Sequence, residues 1–245
     1  MARNVAKLVD RVPGSKKEMD TYSAAEVRRV LAAADGDRIG HAWDLALTGL
    51  RRGEIAGLRW SDVDFGNGTL TVENTRIQVD GKVIEKTTKT EKSRRSLPLT
   101  PAITEVLERA RAKQAAERLE LGESYGEGLY VVCDEAGEPV HPDKLSRGWH
   151  SVCQAAKVRH IRLHDARHTC GTLLHLQNVP IAVVSAGLGH CDAAFTMRTY
   201  VHSQADALAD AARSLNAVVT NRDKPKRSPG SDSAASPVGW LTCGS

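Results

Sequence analysis

Between Thr69 and Leu99 the chain changes its period, and no other feature restricts its fold as much. The flanking segments place apolar residues at helical spacing, whereas Thr69-Leu-Thr-Val-Glu-Asn alternates residue by residue, as a half-buried strand does. Asp80-Gly81 is a hairpin turn dipeptide, since both positions tolerate a positive φ. Val83-Ile84 and Arg95-Ser-Leu-Pro-Leu99 supply further strands. Thr100-Pro101 then restarts helix, with proline at the first helical position, and an amphipathic pattern runs to about Leu121. The expected class is α+β: a mostly helical domain with one small antiparallel sheet.

The helical flanks carry their own punctuation. Ser23-Ala-Ala-Glu26 is a capping box, which predicts a helix over 24–34. A second helix is expected over about 39–47, stopping near Gly49, and a third from about Arg52 to Leu58. Leu129-Tyr-Val-Val132 reads as a short strand. From Pro142 the chain is helical again, with breaks near Arg159, at Asn178-Val-Pro180 and from Gly187 to Gly189. A last helix is expected over about 206–218. Residues 1–20 read as a linker or the remnant of a preceding domain, 21–219 as one folded domain, and 220–245, rich in Ser, Pro, Gly, Lys and Arg, as a disordered tail.

With 41% hydrophobic and 26% charged residues, the chain has the balance of a soluble globular protein. Its net charge of +4 argues little by itself, but the placement of charge argues more. The segment from Lys82 to Arg95 holds six basic residues (Lys82, Lys86, Lys89, Lys92, Arg94 and Arg95) against Glu85 and Glu91, an excess as large as that of the whole chain. Such a cluster suits a phosphate-facing patch, or equally a solvated hairpin face. The five cysteines include no Cys-x-x-Cys pair, so neither a disulfide frame nor a zinc knuckle is expected. No leader and no bilayer-length apolar run is read, and a cytoplasmic location is expected.

Four stretches could carry chemistry. Thr48-Gly-Leu-Arg51-Arg52-Gly-Glu54 sets a guanidinium just after a glycine turn and just before a helix, where an anion is favoured. Its bland reading is a helix start with surface charge. In His164-Asp-Ala-Arg167-His168, positions i and i+3 share a face, so His164 and Arg167 can serve one site. His164 and His168 also have the i, i+4 spacing of a zinc pair, but Asp165 is too short for the glutamate of that motif, and His168 reads as a structural histidine. Gly187-Leu-Gly-His190 is a tight break ending in an imidazole. In Met197-Arg-Thr-Tyr200-Val-His202, Tyr200 taken alone would be a packing residue.

Together and in this order the stretches resemble the tyrosine recombinase, or phage integrase, family. Thr48-Gly-Leu-Arg51, Thr88-Lys89-Thr90 ahead of the Arg95 strand, His164-x-x-Arg167-His168, Leu188-Gly-His190 and Tyr200 match that family's ordered motifs over about residues 20–218. The resemblance implies that 21–219 is the family's catalytic domain, a site-specific recombinase or integrase of phages and mobile elements. It further implies that the domain attacks a DNA phosphodiester with Tyr200 to form a 3′-phosphotyrosyl bond. A phenol with a pKa near ~10 needs help to do so. The resemblance assigns Arg51 and Arg167 to clamp the phosphate, His190 to a further hydrogen bond on it, His164 to act as base and Lys89 as acid toward the 5′-oxygen. Glu54 would orient Arg51, and His168 would support from behind. Arg52, Lys86, Lys92, Arg94 and Arg95 would face DNA. No cofactor or metal is implied, because the arginines and lysine supply the charge.

The implied partners are double-stranded DNA attachment sites and, through a helix at 204–218, further copies of the chain in a tetramer at the synapse. No membrane is implied, and the location would be cytoplasmic and nucleoid-associated. Three other readings remain at this point: a DNA-binding remnant without recombination activity, a type IB topoisomerase-like enzyme that only relaxes DNA, and a metalloenzyme built on His164 and His168.

Overall fold

A computed structural model of the chain describes residues 20–87 and 94–189. The expectations for the N-terminal linker before Asp20, the helix at 206–218 and the tail lie outside these residues.

Helix α1 (Ala24–Ala34) starts where the capping box places it. The Ser23 backbone N–H donates to Glu26 Oε2 at 2.8 Å, and Ser23 Oγ accepts from the Glu26 N–H at 3.3 Å. Helix α2 (His41–Leu47) begins two residues later than expected, after a turn in which the Gly40 N–H bonds the Asp37 carbonyl. Helix α3 (Arg52–Gly57) follows directly. Strands β1 (Val63–Asp64), β2 (Thr69–Val72), β3 (Asn74–Val79), β4 (Lys82–Thr87) and β5 (Arg95–Pro98) come next. Helices α4 (Pro101–Leu121), α5 (Pro142–Ala155), α6 (Leu163–Leu176) and α7 (Ile181–Leu188) complete the described chain.

The expected single sheet is two. Strands β1, β2 and β5 form one antiparallel sheet in that order, while β3 and β4 form a separate hairpin. The hairpin turns at Asp80 and Gly81, both at positive φ. Its departure from the sheet has a steric cause in α3. Gly53 and Gly57 are four apart and share one helix face. A Cβ on Gly53 would lie 2.7 Å from Thr75 Cγ2, and one on Gly57 would lie 3.0 Å from the Arg76 nitrogen. Only bare glycine backbone admits β3 at that distance. The hairpin is thereby seated on the helix that Arg51 introduces.

The strand expected at 129–132 is reduced to one bridge, Arg59 with Tyr130. Trp60 N–H to Leu129 O and Val131 N–H to Leu58 O hold it.

The core is a helical layer closed by the three-stranded sheet. Trp43 of α2 and Trp149 of α5 are fully buried with ring centroids 5.9 Å apart. Trp149 Nε1 is satisfied by the Ile161 carbonyl at 2.8 Å, so the indole is buried without an orphaned donor. Leu70, Val72 and Leu97 turn the sheet's inner face into the same core cluster that holds Ile55 and Ala56 of α3. A smaller cluster, Val184 and Leu188 against Cys170 and Leu174, seats α7 on α6. Eight residues are too few for a helix to persist on propensity alone, so this packing, at ~2 kcal/mol per buried aliphatic side chain, and the bonds at its end hold α7.

Candidate functional site

Arg51 is the N-cap of α3, and Glu54 is the third residue of the helix. The Arg51 backbone N–H donates to Glu54 Oε2 at 2.7 Å, and the Arg51 guanidinium donates to Oε1 at 2.7 Å. A second guanidinium meets the same carboxylate: Arg95 of β5 donates to Oε1 at 2.9 Å and to Oε2 at 2.8 Å. Four donors thus fill the acceptor capacity of one carboxylate. Burial by itself would raise the Glu54 pKa. The Arg95 hydrogen bonds and charge, joined by Arg51, outweigh burial and bring it down to about 2. Glu54 is a fixed anion beneath Arg51.

The same arginines reach the end of α7. Arg95 Nε donates to the Gly187 carbonyl at 2.9 Å, Arg167 donates to the Leu188 carbonyl, and Arg51 donates to the Gly189 carbonyl at 2.8 Å. Three guanidiniums, from β5, α6 and the α3 cap, therefore hold three consecutive carbonyls at a helix C-terminus, where the macrodipole favours positive charge. Gly189 closes the helix in the left-handed region at φ 61°. A Cβ there would also sit 3.0 Å from Arg95 Cδ. Arg167 is buried and donates in addition to the Gly49 carbonyl at 2.6 Å, tying α6 to the loop that leads into Arg51.

His164 stands on the first turn of α6, one turn before Arg167, as the i, i+3 spacing requires. Partial burial, then the positive charges of Arg167 and Arg51, push its imidazole below the ordinary value and favour the neutral, basic form. The His168 ring packs edge-on against it with centroids 4.9 Å apart. His168 is buried, and that burial, followed by the charge of His164, lowers its pKa to about 4. Asp165 is a helix cap: its carboxylate accepts from the Arg162 N–H at 3.1 Å and from the Arg162 guanidinium at 2.9 Å. Among the described residues no group of three His, Cys, Asp or Glu side chains is placed to hold a metal ion. An open cleft of about 560 Å³ has Arg51, Arg52, Thr75, His160, Arg162 and His164 in its wall.

Of the residues singled out in the sequence, Arg51, Glu54, His164, Arg167 and His168 come together here. Lys89, Lys92, His190 and Tyr200 lie outside the described residues. Arg52, on the cleft wall, donates to Ser146 Oγ at 3.0 Å and pairs with Asp143. Lys86 is exposed on β4. Arg94 is exposed and ion-paired with Glu73. Arg95 is the correction. Expected to face DNA, its side chain is only 9% exposed, and its guanidinium is committed to Glu54 and Gly187. The alternation that identified the strand also carried this signal, because residues 95 and 97 share a face and Leu97 is buried. Arg162 and His160 on the cleft wall carried no signal in the sequence.

The family described as the Phage integrase family matches residues 23–207. Over 223 residues the chain is 31% identical to a tyrosine recombinase XerC-like protein of Caldanaerobacter subterraneus subsp. tengcongensis, covering 84% of this chain and 57% of that protein. Over 207 residues it is 30% identical to the ICEBs1 integrase of Bacillus subtilis, covering 82% and 55%. The chain thus spans somewhat more than half the length of these relatives. The fold is also that of the Tn1549 transposon integrase in complex with transposon right end DNA, with a TM-score of 0.67 at 19% identity over 86% of this chain and 70% of that one. The XerA recombinase shares it as well, with a TM-score of 0.60 at 21% identity over 88% and 68%. The expected α+β class is therefore the observed one.

Proposed function

The chain belongs to the phage integrase family, and from that premise we propose that it cuts and rejoins DNA at specific sites through a 3′-phosphotyrosyl intermediate, in the integration or excision of a phage or other mobile element. One observation supports this reading above the rest. Arg51 and Arg167, brought from separate segments, bond to the adjacent carbonyls of Gly189 and Leu188, with His164 on the same helix as Arg167. Two guanidiniums fixed side by side suit the non-bridging oxygens of a phosphodiester, whose charge grows in the pentacoordinate transition state.

In the proposed reaction the Tyr200 oxygen forms a bond to phosphorus while the bond from phosphorus to the 5′-oxygen breaks. His164, neutral at working pH, accepts the phenol proton, and Lys89 gives a proton to the leaving 5′-oxygen. Attack by a 5′-hydroxyl on the phosphotyrosine reverses the step and rejoins the strand. The phosphotyrosyl bond conserves the energy of the phosphodiester, so no nucleotide is consumed. His190 adds a hydrogen bond to the phosphate. Lys86, Lys92, Arg52 and Arg94 contact the neighbouring backbone. The partner is a double-stranded attachment site, on which copies of the chain assemble as a tetramer through 204–218, in the cytoplasm at the nucleoid.

Incubating the chain with a pool of nicked duplexes of randomised sequence, followed by denaturation, tests the reading. Recovery of DNA linked through a 3′-phosphate to the Tyr200 peptide supports it, and the sequenced DNA reveals the site. Joining of two captured duplexes separates a recombinase from an enzyme that only relaxes DNA. Binding without any adduct would leave a DNA-binding remnant.

A further inference from the structure

We propose that Arg95 is a positioning residue for strand transfer: through Glu54 and the Gly187 carbonyl it sets where Arg51 stands relative to the end of α7, and it does not touch DNA. This inference rests on the reading of Arg51 as a phosphate clamp.

The geometry has three parts. Arg95 spends both terminal nitrogens on Glu54 and its Nε on Gly187, so one planar group spans the α3 cap and the α7 C-terminus. Glu54 in turn aims Arg51, and Arg51 bonds the carbonyl two residues beyond Gly187. The helix α3 that Arg51 caps, the strand β5 and the helix α7 thereby close a ring of hydrogen bonds around one guanidinium. Gly189 fits that ring doubly, since its left-handed backbone ends the helix and its missing Cβ leaves room for the Arg95 side chain.

Stability alone does not account for this arrangement. A buried ion pair gains little over an apolar pair of the same size, because desolvation offsets the Coulomb attraction. What the pair supplies is direction. Lysine is a point charge and cannot replace a fork that makes three bonds in one plane. A residue that sets the placement of a phosphate clamp acts on rate more than on binding, because a misplacement of ~1 Å can slow a reaction ~100-fold.

The test compares Arg95→Gln and Arg95→Lys with the unsubstituted full chain in two arms. Amide hydrogen exchange reads residues 50–57 and 181–189 without DNA. Single-turnover adduct formation and DNA affinity are read on a duplex captured as above. The expected result for Arg95→Gln is exchange at least ~10-fold faster in both segments, affinity within ~3-fold, and adduct formation slowed ~100-fold. Arg95→Lys, which keeps the charge and the fold even where glutamine does not, should slow the reaction ~10-fold with the same split between rate and binding. Unchanged exchange in both variants overturns the proposal, as does a rate that falls only in step with affinity. If the unsubstituted chain captures no DNA, the proposed function fails, and the exchange arm alone decides whether Arg95 holds the two segments.

Discussion

The Arg167 guanidinium donates to the Gly49 carbonyl at 2.6 Å, so the arginine of α6 holds the loop that presents the arginine capping α3. The proposed phosphate clamp is therefore not two independent side chains. Replacing Arg167 by alanine removes a charge and also strands the Gly49 and Leu188 carbonyls in a buried place. The expected loss is ~3 kcal/mol or more of stability, together with adduct formation below detection. Chemical denaturation and adduct capture measure the two effects. Arg167→Lys should lose less stability than alanine, because it keeps the charge and can pair one carbonyl, and should keep little of the rate, because an ammonium cannot reach both carbonyls in one plane.

Glu54 gives a stability prediction with a defined pH window. Its pKa falls from the ordinary value of 4.5 to about 2 on folding, so the unfolded chain takes up the proton first. The carboxylate's contribution is complete above about 4.5 and is lost as the pH falls toward 2. Glu54→Gln should therefore cost roughly 3 kcal/mol near neutrality, by ~1.4 kcal/mol per pKa unit, with the deficit shrinking below pH ~4.5. Urea titrations across that range check it, and a deficit that stays constant with pH would contradict the ion-pair account.

Two buried imidazoles act in the same direction, over a higher pH window. His41 bonds the Val131 carbonyl at 2.9 Å, and burial brings its pKa down to about 4, as it does for His168. Both are neutral in the folded chain, and the unfolded chain protonates them first. Stability should fall as the pH drops from about 6.5 and level off near 4. His41→Gln should flatten this slope by about half, as Tm against pH would show.

How much of this was legible in the sequence depended on the distance between partners. The Ser23–Glu26 cap joins residues three apart, so local spacing announces it, whereas the link between Glu54 and Arg51 came with the family resemblance. Glu54 and Arg95 lie far apart in sequence, and only strand alternation hints that Arg95 turns inward. Gly53 and Gly57 read as ordinary helix residues until β3 arrives against them, which is why one expected sheet became a sheet and a separate hairpin. His164 and Arg167 were legible as a pair, but their burial and their bonds to Gly49 and Leu188 follow from how α6 and α7 pack.

His164 makes a kinetic prediction. Its imidazole is pushed below the ordinary value by partial burial and by Arg167 and Arg51, so it stays basic at lower pH than a free imidazole. The acid limb of adduct formation should lie below that of free imidazole. His164→Gln should remove the limb and slow the reaction ~100-fold or more, the range for loss of a general base. A limb at the free-imidazole position would remove His164 from that role.

The proposed role of Arg51 and Arg167 is to neutralise charge developing on one phosphate. Its most direct test is single-turnover adduct formation by Arg51→Ala on two duplexes, one with an ordinary scissile phosphate and one with an uncharged methylphosphonate in its place. The expected result is a loss of ~100-fold or more on the ordinary duplex and recovery of at least ~10-fold on the methylphosphonate, where little anionic charge is left to stabilise. Equal impairment on both duplexes would contradict it.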